Sequence, residues 1–296
     1  MVKFLENLPE LFRERYLNTH EDYLKSIADI ATHLYFEDYD HLEEGCKTMM
    51  NILVSSGKFS ESKVVKSFNS NYFRNLRNSW YHEVALNSPQ DDFDQRLKFA
   101  PWKIIQCYYS IFAGISALIR CFNSSKINSH IKTFNIFGND FLRNRKRKIF
   151  FLPPYNFYLN QEEDFDSVFG QIVDWQYARE VHIPKIKQCL ESVQSGQQQT
   201  TIPHYLKRLR EWVQYEDSYL FFLLYGESVK ENLDYSLERI SFGYLVQVEF
   251  FLINLFGWEP LKLQFDTFNE KIQENLEVIP INLSQRFNVY KDYFSD

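Results

Sequence analysis

Breaks are scarce in this chain: nine glycines and nine prolines in 296 residues. All-β folds turn every few residues and need Gly, Pro, Asn or Asp to do so. Asn and Asp are plentiful here, but the long periodic stretches run on with few Gly or Pro between them. Val65, Phe68, Tyr72, Leu76 and Trp80 recur at three- and four-residue steps and draw one apolar stripe along a helix. An all-α fold is therefore predicted. The chain is long enough for a sizeable core, and its aromatic share of 18%, with 28 Phe and 19 Tyr, supplies large groups to fill helix interfaces.

The same reading places the elements. Tyr23, Ile27, Ile30 and Leu34 lie at helical spacing within about the first 60 residues, and Ser55-Ser56-Gly57 breaks the pattern. A long helix is predicted over 62–86, stopped by Asn87-Ser88-Pro89 and followed by the acidic stretch of Asp91, Asp92 and Asp94. Pro101 suits the first turn of the next helix, which runs to about Phe122. Further helices are predicted over 128–143, 165–193, 204–225, 227–256 and 266–276, with a short one near the end. Ser195 to Thr201 is polar and apolar-free, the best linker in the chain, and it divides 1–95 and a 96–195 core from 202–296 unless all three form one continuous helical body.

Several function classes lose support. A net charge of −6 excludes a uniformly basic nucleic-acid coat but leaves room for a local basic patch. Cys46, Cys107, Cys121 and Cys189 lie far apart without metal-ligand spacing, so no metal and no cofactor are expected, and a reducing, cytoplasmic compartment is. The acidic stretches at Asp91–Asp94 and Glu162–Asp166 lack EF-hand spacing. The longest apolar run, Cys107 to Ile119, spans about 13 residues against the ~20 that a bilayer requires, so no membrane is expected. No P-loop, GxGxxG, HExxH or GxSxG occurs.

The residues left for chemistry are cationic. Arg74, Arg77, Asn78, Tyr81 and His82 form one polar stripe on the 62–86 helix. Guanidinium groups hold phosphates and an imidazole moves a proton near neutral pH; a solvated helix face is the plain alternative. Arg179 and His182 are three residues apart and share a face. Arg143, Arg145, Lys146, Arg147 and Lys148 form a basic run beside Phe150, Phe151, Tyr155 and Phe157, which suits either phosphate contacts with base stacking or a basic helix end before a packed aromatic loop.

Residues 101–142 carry a resemblance. Tyr108, Tyr109, Phe112, Ala117 and Leu118 fill a YYxxF-type helix pattern, and Ser129, His130, Phe137 and Gly138 fill the helix pattern that follows. This resembles the HEPN superfamily of helical bundles, many of which are metal-independent ribonucleases of toxin, defence and RNA-processing systems. Their signature of Arg, a polar residue, a short gap and His is met by Arg77, Asn78 and His82. The resemblance implies that Arg77 stabilises a phosphate and that His82 activates a ribose hydroxyl or protonates the leaving oxygen. RNA is then the expected partner, with a homodimer or protein partner beside it. The alternative is a non-catalytic helical interaction subunit, which predicts Phe and Tyr residues exposed together.

Overall fold

The computed structural model describes residues 42–55, 70–87, 93–122, 129–138, 202–211, 213–214, 227–276 and 280–295. They form eight helices and, among the described residues, no strand. We number them α1 (Leu42–Ser55), α2 (Ser70–Leu86), α3 (Phe93–Phe122), α4 (His130–Ile136), α5 (Ile202–Glu211), α6 (Glu227–Phe256), α7 (Trp258–Leu276) and α8 (Ile281–Phe294). The fold is all-α, as the shortage of breaks predicts.

α3 and α6 are the two long axes. Lys103 faces Asp234, Cys107 faces Leu237, Ser110 bonds Ser241 and Gly114 lies against Leu245. Both residue numbers climb together, so the two helices run parallel. A Cβ on Gly114 would stand 2.9 Å from Leu245 Cδ2, which explains a glycine inside a helix where the two axes approach. Every residue from Ser241 to Ile253 is buried, because α6 is surrounded by α1, α2, α3 and α7. A helix enclosed on all sides has no polar stripe to display.

The other helices each bury one face. α2 buries Phe73, Leu76, Trp80 and Val84; α1 buries Cys46, Met49, Met50 and Leu53; α8 buries Leu283, Phe287 and Tyr290. α6 ends at Gly257, whose φ of 90° is left-handed and whose N–H donates to the Ile253 carbonyl at 2.7 Å, so the chain turns directly into α7. Helices from before residue 95, from the middle stretch and from beyond residue 202 all contribute to one hydrophobic core.

Several boundaries differ from the pattern reading. α3 begins at Phe93, so Pro101 lies inside the helix and not in its first turn. α7 begins at Trp258 because Pro260 falls within its first turn, where a missing N–H costs nothing. α4 is capped by Ser129, whose Oγ accepts from the Lys132 N–H. α6 matches its predicted span. The predicted helices within the first 41 residues and over 165–193, like the linker at 195–201, lie outside the described residues.

Two segments, Phe99–Phe122 and Leu233–Phe256, have mean hydropathies of 1.4 and 1.2 and are long enough to cross a bilayer. They are 72% and 89% buried within the protein, as core helices are. α6 also carries Arg239 and Glu249 in its buried surface.

Candidate functional site

Polar groups from four helices meet where α2, α4 and α5 approach the middle of α3. The sequence Cys107-Tyr108-Tyr109-Ser110 places two tyrosines side by side, one turned into the core and one half-buried at its edge. The Tyr109 ring stands between two imidazoles. His82 of α2 stacks on it at 5.3 Å and 24°, and His130 of α4 meets it edge-on at 6.0 Å and 75°.

Each imidazole is held by its Nδ1. His82 Nδ1 lies 2.7 Å from Gln106 Oε1. A carbonyl oxygen only accepts, so Nδ1 carries the proton and Nε2 is the atom left to act. His130 Nδ1 pairs with the Tyr108 hydroxyl, and its ring lies flat on Phe112 at 4.0 Å. Burial lowers the His130 pKa from the usual 6.5, and the charges of Arg210 and Lys207 lower it further. His130 is therefore neutral near pH 7.

The cations come from α5, whose sequence IPHYLKRLRE alternates apolar and basic positions at helical spacing. Arg210 Nη1 donates to the Tyr109 hydroxyl at 3.0 Å, and its guanidinium lies 4.9 Å from the centre of the Tyr108 ring. Lys207 is half-buried and pairs with Glu211 at 2.8 Å. His204 faces Phe134 at 5.5 Å. The site thus joins two imidazoles to a guanidinium, an ammonium and two phenols.

Of the residues singled out in the sequence, His82 enters this cluster. Arg77 is half-buried on another face of α2, where it donates to Gln264 of α7. Five residues turn a helix through about 140° beyond a full turn, so Arg77 and His82 point to different neighbours. Arg74 and Asn78 are exposed on α2. Arg143, Arg145, Lys146, Arg147, Lys148, Arg179 and His182 lie outside the described residues.

In the sequence Tyr108, Tyr109, Phe112 and His130 stand out as pattern residues and not as parts of a site. Lys207 and Arg210 belong to no motif there, although the basic, amphipathic run of α5 is visible in the sequence. Among the described residues no three His, Cys, Asp or Glu side chains gather as a metal would require. Cys46, Cys107 and Cys121 are free, buried thiols whose pKa burial raises, that of Cys121 to about 12. Comparison with protein-family models, with curated proteins and with solved structures finds no match to this chain.

Proposed function

We propose that this chain is a HEPN-like protein that binds single-stranded RNA at the α2–α3–α4–α5 cluster and cleaves it without a metal. The observation that supports the reading is that His82 and His130 both pack on the Tyr109 ring whose hydroxyl accepts from Arg210, with the His130 pKa lowered by burial and by the charges of Arg210 and Lys207. In the proposed step His130 Nε2 accepts the proton of a ribose 2′-hydroxyl while Nδ1 stays on the Tyr108 oxygen. The 2′-oxygen forms a bond to phosphorus and the bond from phosphorus to the 5′-oxygen breaks. Protonated His82 gives its Nε2 proton to that leaving oxygen, with Nδ1–H anchored on Gln106. Lys207 and Arg210 offset the charge that develops on the phosphate. The products are a 2′,3′-cyclic phosphate and a 5′-hydroxyl end.

Three buried free thiols and two apolar helices mostly enclosed by protein favour a reducing, cytoplasmic setting. The test is incubation of single-stranded RNA with the purified chain in EDTA. Cleavage leaving cyclic phosphate ends is the expected result, and intact RNA with a fully folded protein contradicts the reading.

One observation favours a second reading, a non-catalytic subunit that docks a protein partner. Phe99 and Trp102 lie one turn apart on α3 and are 43% and 52% exposed. Intact RNA together with lost partner binding in Trp102→Ala would select it.

A further inference from the structure

Among the described residues Arg286 of α8 is a cation buried completely in the core. Its guanidinium has no solvent exposure and reaches two carboxylates from two other helices. Nη2 donates to Glu83 Oε2 of α2 at 2.8 Å, and Nη1 donates to the other oxygen of the same carboxylate. Nε donates to Glu249 Oε2 of α6 at 2.8 Å, and Nη2 to Glu249 Oε1 at 3.0 Å. Glu249 also accepts from Trp80 Nε1 of α2 and from the Tyr290 hydroxyl of α8, both at 2.7 Å. The Phe242 ring lies 4.9 Å from the guanidinium carbon. Two carboxylates thus share one cation at the junction of α2, α6 and α8.

This network begins one residue from the candidate site. Glu83 follows His82, and neighbours on a helix point about 100° apart. Glu83 turns into the core toward Arg286 while His82 turns toward Gln106 and Tyr109 on α3. Trp80, on the same helix, is tied to Glu249 and packs edge-on against Phe268 and Phe287. Rolling α2 about its axis would lift Glu83 and Trp80 from these buried partners, and water does not reach them to compensate. The rotation of α2 is therefore set from the core side, and the direction of His82 follows from it.

We infer that Arg286 and Glu83 are positioning residues for the His82 imidazole, so that the C-terminal helix governs the geometry of the site. The assignment of a catalytic role to that imidazole rests on the RNA-cleaving reading; the positioning itself does not. Glu83→Gln keeps the shape of the side chain and one acceptor for the guanidinium. Arg286→Lys keeps the charge but cannot span both carboxylates.

The experiment is NMR of the imidazole protons in the full chain, with the His82 signal assigned by its loss in His82→Gln. In the wild type the hydrogen bond to Gln106 should protect His82 Nδ1–H and slow its exchange. The expected result is loss of that protected signal in both folded variants, with His204 unchanged. If Arg286→Lys fails to fold, Glu83→Gln carries the test alone. A His82 Nδ1–H signal as protected in Glu83→Gln as in the wild type overturns the inference. RNA turnover, measured on the same samples, should show kcat down at least tenfold in Glu83→Gln with KM unchanged. Should the wild type leave RNA intact, the RNA-cleaving reading falls while the exchange measurement still decides the positioning.

Discussion

At the scale of single residues, burial decides which ionisable groups matter. Burial and the charges of Arg210 and Lys207 lower the His130 pKa and so favour the neutral base, and His130→Gln should cut a metal-independent cleavage rate by about 10²–10⁴-fold, the usual worth of a positioned acid or base. Single-turnover kinetics in EDTA read this directly. Glu83 carries a second consequence. Burial raises its pKa above the usual 4.5, offset in part by Arg286. The folded state then holds the Glu83 proton more tightly than the unfolded chain. This proton-linked part of the stability is fully present below about pH 4.5 and is lost as pH rises through the raised value, while the hydrogen bonds to Arg286 still fix where the carboxylate points. The melting temperature of Glu83→Gln relative to wild type should therefore climb as pH rises above 4.5. Arg286→Met leaves two buried carboxylates without a cation and should cost about 3–5 kcal/mol in denaturant unfolding. His82 was legible in the sequence as a proton carrier, because an imidazole among arginines on a helix invites that reading. Its partners were not, because Gln106, Tyr109 and Arg210 meet it only once α2, α3 and α5 have packed.

At the scale of elements, most helices were visible as apolar spacing, and the starts of α4, α5 and α6 fell within two residues, whereas those of α3 and α7 did not. α6 was bounded correctly because Gly257 ends it with a left-handed turn. Gly257→Ala forces a side chain into that conformation and should destabilise the protein by about 1 kcal/mol in thermal unfolding. The start of α3 was placed late because Pro101 resembles a first-turn residue and the acidic stretch before it resembles a loop. Two earlier helical turns already supply the nucleus, so the proline costs one hydrogen bond and does not end the helix. α7 begins eight residues before its predicted start because Trp258 and Phe265 pack on Phe287 of α8 and Leu261 is buried, within a segment that also holds Pro260.

At the scale of the whole molecule, the all-α class followed from the scarcity of breaks, while the order of the helices in space did not. No local pattern says that α3 and α6 lie parallel or that α8 closes over Glu83 and Glu249. Those placements arise from long-range pairings such as Ser110 with Ser241 and Glu83 with Arg286. They also decide which cation serves the candidate site. The resemblance in sequence points to Arg77, whereas Arg210 of α5 is the guanidinium that shares Tyr109 with both imidazoles. The most direct measurement is a side-by-side assay of RNA cleavage in EDTA by His130→Gln and Arg77→Ala, each checked for cooperative unfolding. Cleavage should be lost in His130→Gln and largely kept in Arg77→Ala. Full cleavage by His130→Gln with loss in Arg77→Ala would contradict it and move the chemistry to the opposite face of α2.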